Sequence, residues 1–158
     1  MTKSKVAGIK DRMLNEYNKK YAAKKVTQMT ETTKNVLNGV LTDSQAKGLG
    51  IKDTLKNILD KVEDMRLSRA KTIARTETSS AINNTSLRTA KEAKMKKKTW
   101  VWIGGRYTFR ENHRRLNGLT IGIDEYFDLG KGIKTLSPHH PSLPASEVCN
   151  CSCLILFK

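Results

Sequence analysis

Three cysteines near the C-terminus are the residues whose type and spacing point most directly to chemistry. They lie within five positions, in the segment Cys149-Asn150-Cys151-Ser152-Cys153. Cys151 and Cys153 are two positions apart, so on an extended strand both thiols point to one face, where two thiolates can bind one zinc ion. The close spacing strains any internal disulfide, and an odd number of cysteines cannot form a distributed disulfide framework.

Histidines can supply the remaining ligands of a tetrahedral site. The chain has three, of which His139 and His140 are adjacent. Imidazole nitrogens and thiolates together form a common structural zinc site. One imidazole would come from His113 and one from His139 or His140, and the zinc ligands that we select are His113, His140, Cys151 and Cys153. Metal binding at such a site would stabilise the fold of a region that has few apolar residues of its own.

Two other interpretations of the cysteines stay open. Buried free cysteine is a common small hydrophobic residue, and a last strand reading Cys153-Leu-Ile-Leu-Phe157 has the composition of a protein core. The thiols could also pair oxidatively. Zinc is the single cofactor that the sequence suggests.

A cluster of lysines is the candidate nucleic-acid contact. The chain has 30 Lys and Arg residues against 15 Asp and Glu, and residues 1–100 carry +13 of the net charge of +15. Such an excess indicates an anionic partner. Lysines bind phosphates without reading bases, so we predict nonspecific contact with double-stranded DNA through Lys94, Lys96, Lys97 and Lys98. The same charge could instead contact an acidic protein surface, and the nearby Trp100 and Trp102 could be core residues.

The histidines also raise the question of an enzyme. The run Asn112-His113-Arg114-Arg115 loosely resembles the composition of HNH-type endonucleases, in which a histidine activates water and a metal ion holds the phosphate. The C-x-x-C pair and the carboxylate cluster that such chemistry needs are missing from the sequence. It also has no Walker-type glycine loop and no serine elbow. We therefore predict a protein without enzymatic activity.

Apolar residues at helical spacing predict helices for most of the first ninety residues. Three threonines between residues 30 and 33 mark one boundary, and Gly48 and Gly50 bracket a turn before Asp53, which can cap a helix. The last of these helices is rich in polar residues with poor helix propensity, so we expect packing against a neighbouring helix to stabilise it. The apolar stripes cover residues 6–21, 36–41, 55–65 and 69–90.

At Thr99 the spacing changes from helical to strand-like. Two short runs, 100–103 and 106–109, flank Gly104-Gly105 and predict a β-hairpin. Helices followed by a small β-rich C-terminal module make an α+β fold. The elements expected after the hairpin are a helical turn over 110–116, a strand over 119–123, irregular structure over 124–145 and a last strand over 153–157.

The sequence shows no targeting or membrane-spanning segment. Its start, MTKSKVAGIKDRM, has no apolar stretch, and its longest apolar run, 153–157, is far shorter than the roughly 18–20 residues that a span needs. We expect synthesis in the host cytoplasm and no membrane partner.

Several short motifs follow one another in a distinctive order. They are Ile73-Ala74-Arg75-Thr76-Glu77-Thr78, Lys98-Thr99-Trp100-Val101, Arg110-Glu111-Asn112-His113, Leu116-Asn117-Gly118, Phe127 and Glu147-Val148-Cys149-Asn150-Cys151-Ser152-Cys153. Together they resemble the phage head morphogenesis family, the minor head proteins related to protein F of phage Mu. The resemblance implies a family domain over residues 41–158, preceded by a helical extension over residues 1–40.

The resemblance also implies architectural roles for four residues. A carboxylate on a helix is usually solvated, whereas the resemblance implies that Glu77 is buried and anchors its helix against the Trp100 strand or the Arg110 segment. Arg75 precedes this acid in the same motif. The residues with an implied structural role are Arg75, Glu77, Trp100 and Arg110.

The function implied by the resemblance is that of a phage or prophage minor head protein in procapsid assembly. Members of the family lie inside the head, associated with the portal vertex and sometimes with packaged DNA, without established catalysis. We therefore expect portal, capsid or scaffold proteins as partners and a location inside the virion. The alternative is a basic DNA-binding protein or HNH-like nuclease unrelated to virions, which would bind free DNA without a portal.

Overall fold

The computed structural model describes residues 3–21, 30–62, 65–104 and 109–158, with the backbone alone for residues 3–6. Helices precede small antiparallel sheets, which confirms the predicted α+β fold. No helix in these residues is both long and apolar enough to cross a membrane. The elements are α1 Lys3–Tyr21, α2 Glu31–Ala46, α3 Ile51–Lys61, α4 Leu67–Glu92, β1 Lys97–Val101, α5 Glu111–Arg115, β2 Thr120–Gly122, β3 Phe127–Gly130, β4 Ile133–Thr135, α6 Ala145–Val148 and β5 Leu154–Phe157.

Helices α2, α3 and α4 enclose the first hydrophobic core. Thr30 caps α2, since its hydroxyl accepts a hydrogen bond from the backbone N–H of Thr33 at 3.2 Å, so the threonine cluster marks this boundary as predicted. Helix α3 begins at Ile51, and Asp53 lies in its first turn instead of at the cap, which is Gly50. The buried apolar residues of this core are Leu37, Val40, Leu41, Ile58, Val62, Ala70, Ile73 and Ala74.

Helix α1 packs against α4 along its buried face. Met13 and Tyr17, two members of the predicted apolar stripe, are buried. Arg12 forms an exposed ion pair with Glu92 of α4 at 2.7 Å, and such pairs contribute little stability. The contact therefore depends mainly on the two buried side chains, while the side chain of Val6 lies outside the described part of the chain.

Strand β1 is the central strand of a three-stranded antiparallel sheet with the order β2-β1-β5. Thr99 pairs with Thr120 of β2, and Trp100 pairs with Ile155 of β5. Both edges of β1 are thus occupied by strands from later in the chain. This differs from the predicted hairpin across Gly104-Gly105: residues 105–108 lie outside the described residues, and Phe109 is not part of a strand.

A second hairpin, β3–β4, lies where the sequence predicted irregular structure. Gly130, Lys131 and Gly132 have φ values of 84°, 52° and 74°, which reverse the chain. Four-residue and three-residue strands are too short for their alternation to stand out beside three prolines, so the prediction was wrong here. The buried residues of the second core are Trp100, Leu116, Phe127, Leu129, Leu143, Val148, Cys151, Cys153 and Ile155.

Helix α4 connects the two cores. Its first half contributes apolar residues to the helical core, whereas its polar residues between Thr76 and Thr85 are mostly buried and several of them contact the C-terminal module. The stretch that the sequence assigned to helix–helix packing is therefore also a contact with the β-rich module. The predicted domain boundary after residue 40 stays a prediction, and α2 runs through that position.

Candidate metal centre

The structure brings His113, Cys151 and Cys153 together in the second core. Nδ1 of His113 lies 3.5 Å from Sγ of Cys151 and 3.6 Å from Sγ of Cys153. All three side chains are buried, and their candidate ligand atoms lie within 4.8 Å of one another. Helix α5 positions the imidazole, and the extended segment before β5 positions the thiols, as the predicted spacing required.

These distances match the edges of a zinc tetrahedron. Zinc binds thiolate sulfur at about 2.3 Å and imidazole nitrogen at about 2.0–2.1 Å, so tetrahedral angles place sulfur and nitrogen ligands about 3.6 Å apart. The two observed distances between Nδ1 and the sulfurs, 3.5 and 3.6 Å, agree with that value. The separations between Nδ1 and the two sulfurs are therefore those that a shared zinc ion requires.

Glu147 orients His113 from the other side of the ring. Its Oε2 lies 2.8 Å from Nε2 of His113, and the same carboxylate accepts a hydrogen bond from Asn112 Nδ2 at 3.2 Å. A metal-bound histidine typically donates its second N–H to a carboxylate, which fixes the tautomer that leaves the other nitrogen free to bind. The carboxylate thus directs Nδ1 toward the thiols.

The electrostatics of the cluster favour one thiolate over the other. Hydrogen bonds from Cys153, His113 and His139 lower the pKa of the Cys151 thiol, against the effect of its burial. The pKa of the Cys153 thiol is raised, chiefly by its interaction with Cys151 and by burial. Two adjacent thiolates repel each other, so a cation is needed before both can ionise.

Neither His139 nor His140 belongs to this group of ligand atoms. His139 is 1% exposed, and its Nδ1 lies 3.5 Å from Ser80 Oγ on α4. His140 is outside the group of ligand atoms, and its Nδ1 lies 2.8 Å from Ser142 Oγ. The structure therefore brings together three of the four predicted ligands and leaves His140 apart from them.

Polar residues of α4 bind the backbone on both sides of the cluster. Asn83 Nδ2 donates to the carbonyl of Cys153 at 3.0 Å, and Asn84 Nδ2 donates to the carbonyl of His139 at 2.9 Å. Arg75 donates to the side chain of Asn150 at 2.8 Å. These contacts explain the burial of Asn83 and Asn84, which helix propensity alone did not indicate.

The other residues with a predicted structural role occupy defined positions. Trp100 is fully buried, with its ring 5.3 Å from that of His113 in an edge-on arrangement. Arg110 donates to the carbonyls of Ser146 and Cys149, each at 2.8 Å, and so binds the segment that leads to the thiols. Their structural importance stays a prediction, although both lie against the cluster.

Glu77 is buried, as the resemblance implied. Its carboxylate raises the pKa of Tyr17, together with the burial of that phenol, which is the larger effect. The acid therefore faces α1 and lines a small cavity that it shares with Tyr17 and His139. The predicted anchoring of its helix against the Trp100 strand or the Arg110 segment stays a prediction.

The four predicted DNA-contacting lysines do not share one environment. Lys94, Lys96 and Lys97 are exposed. Lys98 is fully buried, its Nζ donates to the carbonyl of Ile123 at 2.8 Å, and burial lowers its pKa to about 8. A lysine held in this way cannot reach a phosphate, so the structure corrects the prediction for Lys98.

Comparison with known proteins gives the family of the chain. The family model described as Phage Mu protein F like protein matches residues 34–156. This chain belongs to the phage Mu protein F-like family. The uncharacterized protein YqbB of Bacillus subtilis (strain 168) is 34% identical over 142 residues, covering 87% of this chain and 46% of YqbB, so the chain spans about half the length of this relative. No solved structure matches.

The family match extends over the parts of the structure described above. It includes both hydrophobic cores and every candidate metal ligand, whereas α1 lies before it. The family is one of phage head proteins and is generally structural. The cysteine and histidine cluster thus lies within the residues that the family model matches.

Proposed function

We propose that this protein is a non-enzymatic minor head protein that acts in procapsid assembly and associates with the portal. The observation that carries the proposal is the family match over residues 34–156. His113 supports the non-enzymatic part, since its ring is 2% exposed, with Nε2 on Glu147 and Nδ1 on the thiols. An imidazole engaged on both sides cannot activate a water molecule, which argues against the HNH-like alternative.

Co-expression with the portal protein of the same phage tests this proposal. The lysate is treated with nuclease before the pull-down, so that DNA cannot bridge the two proteins. We expect the chain to co-purify with the portal and to be detected by immunoblot in purified heads. Recovery with free DNA only, together with absence from the heads, would contradict the minor head role and favour a DNA-binding protein unrelated to virions.

We also propose that the family domain holds a structural zinc ion on His113, Cys151 and Cys153. Support comes from the agreement between the observed ligand separations and a zinc tetrahedron, and from the carboxylate on His113. Bound zinc would neutralise the thiolates and join α5 to the segment before β5. The alternative is that the two thiols serve only as core residues and share hydrogen bonds with Nδ1 of His113.

Metal analysis of protein purified without a metal-affinity tag tests the zinc proposal. We expect one zinc ion per chain and slow reaction of two of the three thiols with a chromogenic disulfide reagent until a chelator is added. Cys151→Ser should lose the metal, and the matched control Cys149→Ser should retain it. Metal-free protein with no chelator effect on thiol reactivity would contradict the proposal.

Direct contact with packaged DNA is a second component of the proposed role. It rests on the net charge of +15 and on three exposed lysines between the end of α4 and the start of β1, which are Lys94, Lys96 and Lys97. Replacing all three by Gln should make the slope of log K against log salt shallower by about 0.9 for each phosphate contact that is lost. The matched control replaces three exposed lysines of α3, Lys52, Lys56 and Lys61. Equal effects of the two triple variants would contradict a defined site.

A further inference from the structure

We propose that a cleft between α1, α4 and the loop over residues 136–141 is the docking site for an acidic segment of another head protein, one that carries a large apolar side chain between carboxylates. This inference rests on the proposed role in head assembly and names the surface and the chemistry of the partner. The cleft, which we call the α1–α4 cleft, has a volume of about 380 Å³. Pockets that bind ligands typically enclose roughly 300–1,000 Å³.

The walls of the α1–α4 cleft are largely apolar and aromatic. Tyr17 and Tyr21 of α1 contribute two rings whose centroids lie 5.4 Å apart. Leu87 of α4 lies across from them, and Leu136 and Pro141 of the loop complete the walls. Aromatic and aliphatic side chains around a concave space accept a large apolar side chain, as the anchor pockets of protein interfaces do.

The charges around the cleft are mostly positive. Lys20, Arg88 and Lys91 line it, against one carboxylate, Glu16, among the lining residues that the structure describes. Arg88 is paired with Glu16, and Lys91 is paired with the exposed Asp124 at 2.7 Å. Exposed ion pairs of this kind contribute little stability, so carboxylates of a partner can replace the present ones. The positive charge of the cleft is therefore complementary to an acidic segment.

Both sides of the cleft are fixed by contacts of their own. On the loop side, Asn84 of α4 donates to the carbonyl of His139 at 2.9 Å, and Thr135 Oγ1 donates to the carbonyl of Ser137 at 2.8 Å. On the α1 side, Tyr17 is buried. A preformed pocket has less conformational entropy to lose on binding, so the cleft is suited to a partner segment that is itself flexible.

The composition of the cleft favours a protein segment over duplex DNA. A duplex presents phosphates on its outside and keeps its bases stacked, so it would use the cations and leave the apolar walls empty. An acidic segment with an apolar side chain uses both. Helix α1 lies before the residues that the family model matches, whereas α4 and the loop lie within them. The cleft is thus formed jointly by the matched residues and α1, which contributes to the choice of partner.

Fluorescence polarisation of a labelled synthetic peptide, Glu-Glu-Trp-Glu-Glu, tests the cleft on the full chain. We expect binding of this peptide and weaker binding of two control peptides, one with Ser in place of Trp and one with Lys in place of each Glu. Lys20→Gln should weaken binding about fivefold, the upper range for one exposed ion pair. The matched control Lys19→Gln should not, because Lys19 is exposed on the same helix but is not among the residues that line the cleft. Tyr21→Ala should weaken binding about tenfold, since it removes part of the apolar wall.

Substitution of Glu16 tests the sign of the electrostatic effect. Glu16→Gln removes the carboxylate from the cleft and releases Arg88, so the acidic peptide should bind about fivefold more tightly. The control Glu92→Gln removes the ion pair between Arg12 and Glu92, which also joins α1 to α4 but lies outside the lining residues, and should leave the affinity unchanged. Thermal unfolding followed by circular dichroism establishes that each variant is folded.

Several results would overturn the inference: no binding of the peptide, equal loss in Lys20→Gln and Lys19→Gln, no tightening in Glu16→Gln, or binding of duplex DNA in place of the peptide through the same residues. A wild-type chain that co-purifies with the portal and enters heads but does not bind the peptide would overturn this inference alone. A chain that binds the peptide through the cleft but is absent from heads would contradict the proposed function, and with it the assignment of the partner to the head.

Discussion

Substitution of Glu147 tests the chemistry of the centre without changing a candidate ligand. The carboxylate lies 2.8 Å from Nε2 of His113 and is largely shielded from solvent, so the charge-assisted hydrogen bond is strong. Glu147→Gln keeps an acceptor for Nε2–H but removes the charge, whereas Glu147→Ala leaves that N–H buried without its partner. Second-shell changes cost about 10–100-fold in metal affinity. We expect about tenfold for Gln and about 100-fold for Ala, or roughly 1.4 and 2.7 kcal/mol.

Competition with a chromophoric zinc chelator at pH 7 measures these affinities. The matched control is Glu111→Gln, because Glu111 lies on the same helix as His113 but forms an exposed pair with Arg114. The control should bind zinc as the wild type does. Chemical denaturation of the metal-free proteins separates positioning from folding, since a purely structural Glu147 would lower stability without zinc by as much as with it. Wild-type affinity in Glu147→Ala would refute the reasoning.

Three further substitutions test the packing around the centre. Trp100→Ala removes a fully buried ring and should lower the free energy of unfolding by about 3–5 kcal/mol, while Trp102→Ala, which is half-buried, should cost less in the same urea titrations. Asn83→Ala leaves the Cys153 carbonyl without its donor and should cost about 1–3 kcal/mol in thermal unfolding, and a neutral result would contradict its role as a clamp. The pKa of Lys98 is lowered from 10.5 to about 8 in the folded protein. The buried lysine therefore destabilises the fold while it is charged, and this cost disappears as the pH rises from about 8 to 10.5. The stability gained by Lys98→Met over the wild type should shrink over the same range. A pH-independent difference would argue against a buried ammonium.

Periodicity was sufficient to predict most of the helical region, whereas the predicted cap, Asp53, lies in the first turn of α3. Met13 and Tyr17 belong to a stripe with helical spacing, and both are buried on α1. Thr30 belongs to the threonine cluster that marked a helix boundary, and α2 begins directly after it. Local patterns could not reveal that β1 pairs with β2 and β5, because strand pairing depends on contacts between residues distant in sequence. The two glycines after Ile103 suggested a local turn, and therefore a hairpin between neighbouring segments and not pairing with strands later in the chain.

The candidate metal centre was also predictable only in part, because local spacing indicates some of its residues and not others. Cys151 and Cys153 lie on one short segment, so their spacing alone placed both thiols together. The separation of His140 from the cluster depends on tertiary structure, which a sequence pattern does not contain. The sequence indicated Glu147 only as part of the last family motif. It did not indicate the contact with His113, because that residue lies 34 positions earlier.

The buried polar residues of α4 illustrate how a locally unfavourable sequence can serve the whole fold. Asn83 and Asn84 are poor helix formers, yet each donates one hydrogen bond to the preceding turn and one to the backbone of the C-terminal module. Loops that carry candidate ligands need such partners, because their own carbonyls have no sheet to pair with. The helix is therefore the scaffold on which the centre is built.

The most direct test of the central claim is anomalous diffraction at the zinc edge from crystals of the untagged protein purified with zinc present. The account predicts a single strong peak about 2.3 Å from the sulfurs of Cys151 and Cys153 and about 2.0–2.1 Å from Nδ1 of His113. The absence of any peak between these residues, with both thiols intact and reduced, would contradict it.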